Sequence, residues 1–161
     1  MSMKIEPVLI ETGTEAPEFD LQVQGSERVR LADFRGRRNV LLVFHPFAYT
    51  DVCAEEAQDL QENLGSFDEA ETEVILVSCD SAATRQAWKR ELGLTYTLAS
   101  DFWPHGEAAR AYGVFDERKG ASVRGTFLID RDGTVIWSLV NDADTRRTEL
   151  VDAPLGAAQP E

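Results

Sequence analysis

Cysteine and histidine are scarce in this chain. Its 161 residues include two of each, Cys53 and Cys79, His45 and His105. Two cysteines are too few for a disulfide scaffold, and without a Cys-x-x-Cys pair a structural zinc site is not expected. No apolar run approaches the roughly eighteen residues of a membrane-spanning helix, so no membrane partner is expected. Basic residues are also few: 16 Lys and Arg stand against 29 Asp and Glu, for a net charge of −13. The acidic residues run from Glu6 to Glu161 and form no single tail, an anionic surface that argues against nucleic acid and reads most simply as solubility. The first ten residues carry one lysine and a short apolar stretch, Val8 to Ile10, broken upstream by Glu6 and Pro7. That is no signal-peptide pattern, and a cytoplasmic location is the expectation.

With 43% hydrophobic residues, the chain has enough apolar material for one core, so residues 1–161 are read as a single domain. Residues 1–15 read as an irregular lead-in. Phe19 to Val23 and Val29 to Leu31 alternate apolar and polar residues around Gln24-Gly25-Ser26, an N-terminal β-hairpin. Val40 to Phe44 is continuously apolar, as in a strand buried on both faces, and Pro46 ends it. Cys53, Ala57, Leu60, Leu64 and Phe67 then form one helical stripe, with Thr50 or Asp51 as N-cap. Val74 to Val77 is a second buried strand, and Ala83, Ala87, Trp88 and Leu92 mark a helix closed by Gly93. A short β run from Thr95 to Leu98 leads to the loop Asp101 to Gly106, and Glu107 to Tyr112 to a brief helix. Asp132-Gly133 joins strands Arg124 to Asp130 and Thr134 to Trp137 in the strongest hairpin signal of the chain. Beyond Asn141 the period weakens, leaving a short helix around 145–151 and a frayed tail over residues 142–161. The sum is an α/β domain with a mixed central sheet flanked by helices.

Such folds put their chemistry where a strand hands over to a helix, and the chain does so at His45 through Cys53. A cysteine in the first helical turn meets unpaired N–H donors and the positive end of the helix dipole, which favour the reactive thiolate. A buried, inert cysteine fits the same position. A cysteine hydrolase would need a histidine base, for which only His45 and His105 are available, and the local motifs of cysteine proteases are missing. A dithiol exchanger would need a second cysteine three residues on, where this chain has Glu56. What remains is one activated thiol with a hydroxyl, Thr50, one turn upstream. Breaking a peroxide O–O bond calls for a thiolate, donors that polarise the oxygens, and a cation for the developing charge.

Pro46, Thr50 and Cys53 match the Pro-x-x-x-Thr-x-x-Cys pattern of the peroxiredoxins. Ser100 to Gly106, Ala111 to Phe115 and Arg124 to Phe127 resemble the AhpE-like one-cysteine subgroup. The resemblance implies a thioredoxin-like fold of the peroxiredoxin type and a peroxidase reducing hydrogen peroxide or organic hydroperoxides through a sulfenic acid on Cys53. Thr50 would hold the peroxide oxygens, Arg124 would favour the thiolate and steady the transition state, Pro46 would shield the thiolate from water, and Glu56 would orient the arginine. It further implies an external low-molecular-weight thiol or redoxin as reductant, a homodimer, and no metal or organic cofactor. A catalytically weak redox sensor or interaction module on the same scaffold is the alternative.

Three positions stand apart from the pattern. His45 occupies a place where the family usually has an aromatic; beside Cys53 it would make the thiol's acidity pH-dependent, and the plainer reading is a packed or hydrogen-bonded ring. Cys79 ends the next strand and would resolve the sulfenic acid only if its Cα came within about 7 Å of its partner's, so a buried inert thiol is the expectation. Trp103, with Phe102, would line the peroxide pocket or a subunit contact, or simply pack the core.

Overall fold

The computed structural model describes residues 10–141, and the helix expected around 145–151 lies outside them. The N-terminal hairpin forms as expected from β1 (Asp20–Gln24) and β2 (Glu27–Arg30), with Leu21, Val23 and Val29 turned inward. Within its lead-in, residues 10–15 are tied down more firmly than their sequence indicates. The Gly13 amide donates to the Val135 carbonyl of the far hairpin, the Val135 amide donates back to the Thr14 carbonyl, and Glu15 bridges Thr134.

All six residues of β3 (Asn39–Phe44) are buried, which is what a continuously apolar run requires of its surroundings. The long stripe that follows is divided between α1 (Asp51–Glu62) and α2 (Leu64–Glu69). The break falls at Asn63, whose side chain donates back to the Asp59 carbonyl and so competes with the helical ladder. Leu60 and Phe67 stay on the same core because α2 resumes at once.

Next come β4 (Thr72–Ser78), α3 (Ala82–Leu92), β5 (Thr97–Ser100) and the short α4 (Glu107–Ala111). Ser81 caps α3 by accepting from the Thr84 amide, and Gly93 closes it at φ 67°. The expected face of α3 needs correction: Ala83 is exposed, and the residues turned fully inward are Arg85 and Trp88. β5 also starts later than its β-favouring residues suggest. Thr95 is held by Gln61 and the Tyr96 hydroxyl donates to the Ala57 carbonyl, so both are tied to α1 and not to a neighbouring strand. A two-residue pair, β6 (Phe115–Asp116) with β7 (Ala121–Ser122), precedes β8 (Arg124–Ile129) and β9 (Val135–Asn141).

Seven strands form one sheet in the order β2-β1-β5-β4-β3-β8-β9, parallel across β3, β4 and β5 and antiparallel elsewhere. Alternation along β3 divides the core. Val40, Leu42 and Phe44 face α4 and the lead-in, while Leu41 and Val43 face Ala57, Leu60, Phe67 and Trp88 of the other helices. In β8, Thr126 lies opposite Val43, so Thr126 and Arg124 share the α1 face. The register pairs Phe44 with Gly125, and Arg124 therefore sits level with the point where β3 gives way to the loop that leads to Cys53.

Candidate active site

β3 holds its pairing one residue beyond its end, through a 3.0 Å bond from the His45 amide to the Val77 carbonyl. Pro46, which has no N–H to continue the ladder, is buried and ends it. The next turn is fixed from β4: the Asp80 carboxylate accepts from the Ala48 amide at 2.8 Å and from the Ser78 hydroxyl at 2.6 Å. Tyr49 adopts a left-handed φ of 63°, which swings the chain into α1.

Thr50 occupies the N-cap position in extended conformation, yet its side chain does not cap the helix. The hydroxyl donates to the Phe47 carbonyl at 2.9 Å, leaving oxygen lone pairs at an exposed position. The first helical bond runs from the Ala54 amide to the Thr50 carbonyl at 2.9 Å, so the Cys53 N–H lies ahead of the helical ladder.

Cys53 is 2% exposed. Arg124 reaches it from β8, donating through Nη2 to Sγ at 3.3 Å. Nη1 of the same guanidinium is ion-paired with Glu56, one turn further along α1, and both side chains are buried, at 2% and 1% exposure. The planar fork thus serves the thiol with one arm and is anchored by a carboxylate with the other, a geometry that a lysine cannot reproduce. Pro46, Thr50, Cys53, Glu56 and Arg124 all belong to one junction between β3, α1 and β8.

His45 is buried, stacked on Trp88 with ring centres 5.2 Å apart, and its Nε2 lies 2.5 Å from Nη1 of Arg85. A guanidinium only donates, so Nε2 accepts; the ring is the neutral tautomer with its proton on Nδ1. Its carbonyl accepts from the Ser122 hydroxyl at 2.7 Å. Sequence reasoning passed over Arg85. The signal was its spacing to Trp88 and Leu92, three and then four residues along one helix face, which a charged residue made easy to overlook.

Cys79 is a buried thiol outside the Arg124 junction. Burial pushes it up to about 12, and Asp101 adds to the effect. At pH 8 iodoacetamide is expected to modify Cys53 in the native protein and leave Cys79 untouched, with both labelled after denaturation, as peptide mass mapping would read. Trp103 packs no core: it is 81% exposed. It borders an open groove of about 370 Å³ with Phe19, Leu21, Asp101 and Ala108, and none of the Cys53 group lines that groove.

Comparison with known proteins identifies the family. Residues 12–138 match the model of the AhpC/TSA family. The chain is 40% identical over 127 residues to alkyl hydroperoxide reductase E of Mycobacterium tuberculosis, covering 79% of this chain and 83% of that protein. It is 32% identical over 148 residues to a putative peroxiredoxin encoded in a rubredoxin operon of Clostridium pasteurianum, covering 84% and 82%. Among solved structures, reduced Plasmodium vivax 2-Cys peroxiredoxin superposes with a TM-score of 0.80 at 33% identity, over 91% of this chain and 94% of that one. Enterococcus faecalis AhpC gives 0.81 at 28% identity, over 91% and 90%. With its mixed sheet in a thioredoxin-like α/β arrangement and a cysteine opening the helix after the central strand, the chain belongs to the AhpC/TSA family of peroxiredoxins and is a thiol-dependent peroxidase.

Proposed function

We propose that Cys53 is the peroxidatic residue, reducing hydrogen peroxide or alkyl hydroperoxides, with Arg124 and Thr50 as its catalytic partners. The observation that carries this reading is the 3.3 Å donation from Arg124 Nη2 to Cys53 Sγ inside a buried ion pair with Glu56. In the reaction the thiolate attacks one peroxide oxygen, an S–O bond forms as the O–O bond breaks, and the leaving oxygen takes a proton to depart as water or an alcohol. Cys53 is left as a sulfenic acid. The charge that grows on the departing oxygen is met by the Arg124 guanidinium and by the Cys53 N–H. Because the Thr50 hydroxyl spends its own hydrogen on Phe47, its oxygen is disposed to accept the O–H of a hydroperoxide. Pro46 covers the thiolate from the strand side, and Glu56 keeps the guanidinium turned toward it.

Two external thiols complete the cycle. The first displaces water from the sulfenic acid to give a mixed disulfide, and the second, a low-molecular-weight thiol or the partner cysteine of a redoxin, releases Cys53. Cys79, held protonated by its burial, takes no part in this reading. Exposure of Phe102 and Trp103 supports assembly as a homodimer.

Intact mass after one equivalent of peroxide tests the proposal. The expected product has gained one oxygen, is trapped by dimedone at Cys53, and is absent in Cys53→Ser. A loss of two hydrogens would mean an internal disulfide with Cys79 and overturn the one-cysteine cycle. Oxidation no faster than that of a free thiol would favour a sensor that no longer turns over.

A further inference from the structure

Arg85 is charged, fully buried and served by neutral acceptors. From the middle of α3 its Nε donates to the Ala99 carbonyl at 3.1 Å, Nη2 to the Leu76 carbonyl at 2.7 Å, and Nη1 to His45 Nε2. Its guanidinium lies 5.6 Å from the centre of the Trp88 ring. Among the described residues no carboxylate comes within ion-pairing distance of it. A cation taken out of water with only dipoles about it is costly, and burial pulls Arg85 down to about 10, still well above neutrality.

Five titratable groups lie around Arg85, on or beside four elements. Cys79 and Asp80 follow β4, Tyr96 precedes β5, His45 follows β3 and Cys53 lies in the first turn of α1. The Asp80 carboxylate is partly exposed and engaged with Ala48 and Ser78. Burial keeps Tyr96 and Cys79 protonated, and His45 faces the Arg85 donor as an acceptor through Nε2. Cys53 is the member of this set that becomes an anion during turnover, and it is faced in turn by Arg124 from β8 and Glu56 from α1. Among Arg85, Arg124, Glu56 and their neighbours, two guanidiniums and one carboxylate are wholly buried. The thiolate brings that sum to zero, and electrostatic coupling is reciprocal: what the thiolate does for Arg85, Arg85 does for the thiolate.

We propose that Arg85 is a positioning residue of the peroxidatic centre, fixing the neutral His45 ring behind Pro46 and lending the Cys53 thiolate a second buried positive charge. The proposal deepens the reading of Cys53 as peroxidatic. Its test is an equilibrium titration that requires no turnover, so it fails or stands separately from peroxidase activity. Ultraviolet thiolate absorbance is followed against pH in wild type, Arg85→Met and Arg85→Lys; Cys79 ionises too high to interfere. In R85M the Cys53 midpoint should rise by about half a pH unit or more, a roughly threefold loss of thiolate at a fixed pH below it, and R85K should recover most of the shift. A purely structural residue would lower the melting temperature in both variants and leave the midpoint in place, and a folded R85M with an unchanged midpoint overturns the proposal. Should R85M fail to fold, the Arg85 Nε–H resonance decides in the intact protein. It should move with Cys53 ionisation in wild type and not in Cys53→Ser, and a resonance unmoved in both sinks the idea.

Discussion

Replacing Arg124 with Met is expected to lower the second-order rate constant for Cys53 oxidation by peroxide about 10²- to 10³-fold. The guanidinium donates to Sγ from a site where it is 2% exposed, so bulk water does not screen it. Two effects are lost together in the variant. The thiolate loses its nearest cation, and the oxygen leaving the O–O bond loses a donor already in place. Iodoacetamide separates them, because alkylation needs the thiolate but develops no charge on a departing peroxide oxygen. A fall in the peroxide rate much larger than the fall in the alkylation rate identifies transition-state stabilisation; equal falls would assign the whole effect to the thiolate. Arg124→Lys should recover only part of the loss, since one ammonium cannot hold the Glu56 carboxylate and reach the sulfur in the fixed geometry of the fork. Stopped-flow tryptophan fluorescence gives the rate, and a thermal melt of each variant shows that it is read on folded protein.

Much of this fold is legible in the sequence because it is written in local periods. Val40 to Phe44 requires burial on both faces, and Asp132-Gly133 requires a tight turn, where Gly133 takes φ 84° and the Asp130 carboxylate accepts from the Asp132 and Thr134 amides. The position of Cys53 in the first turn of α1 follows from Pro46, Thr50 and the apolar stripe. Long-range geometry is not written this way. That Arg124 lies level with the end of β3, on the α1 face, depends on an antiparallel register between segments some eighty residues apart, for which only a family pattern gave a hint. The face of α3 is hidden from the sequence pattern for a different reason. Periodicity counts apolar residues, so a buried arginine drops out of the pattern it belongs to, and the apolar stripe runs through Ala83 while the buried face is centred on Arg85 and Trp88. Trp103 sets the opposite limit: a pocket wall, a subunit contact and a core position all suit a loop tryptophan, and only its place on the surface removes the core reading.

Glu56 separates anchoring from charge, and two substitutions should move the site in different directions. In Glu56→Ala the Arg124 guanidinium loses the carboxylate that holds Nη1 while remaining buried, and removing one member of a buried pair costs about 3–5 kcal/mol. Denaturant titration should show that loss, and the plateau rate with peroxide should fall because the fork no longer has a fixed aim at Sγ. In Glu56→Gln the amide oxygen can still accept from Nη1, so the aim is kept while the competing negative charge is gone. The Cys53 thiolate then meets a guanidinium it no longer shares with another anion. The sign follows directly: less anionic charge beside the sulfur favours its ionised form, so the pH at which alkylation reaches half its plateau should move down in E56Q. The protein should still be less stable than wild type, because a neutral amide offsets less of the buried cation's desolvation than a carboxylate does. An upward movement in E56Q would mean that Glu56 serves the thiolate through something other than the orientation of Arg124.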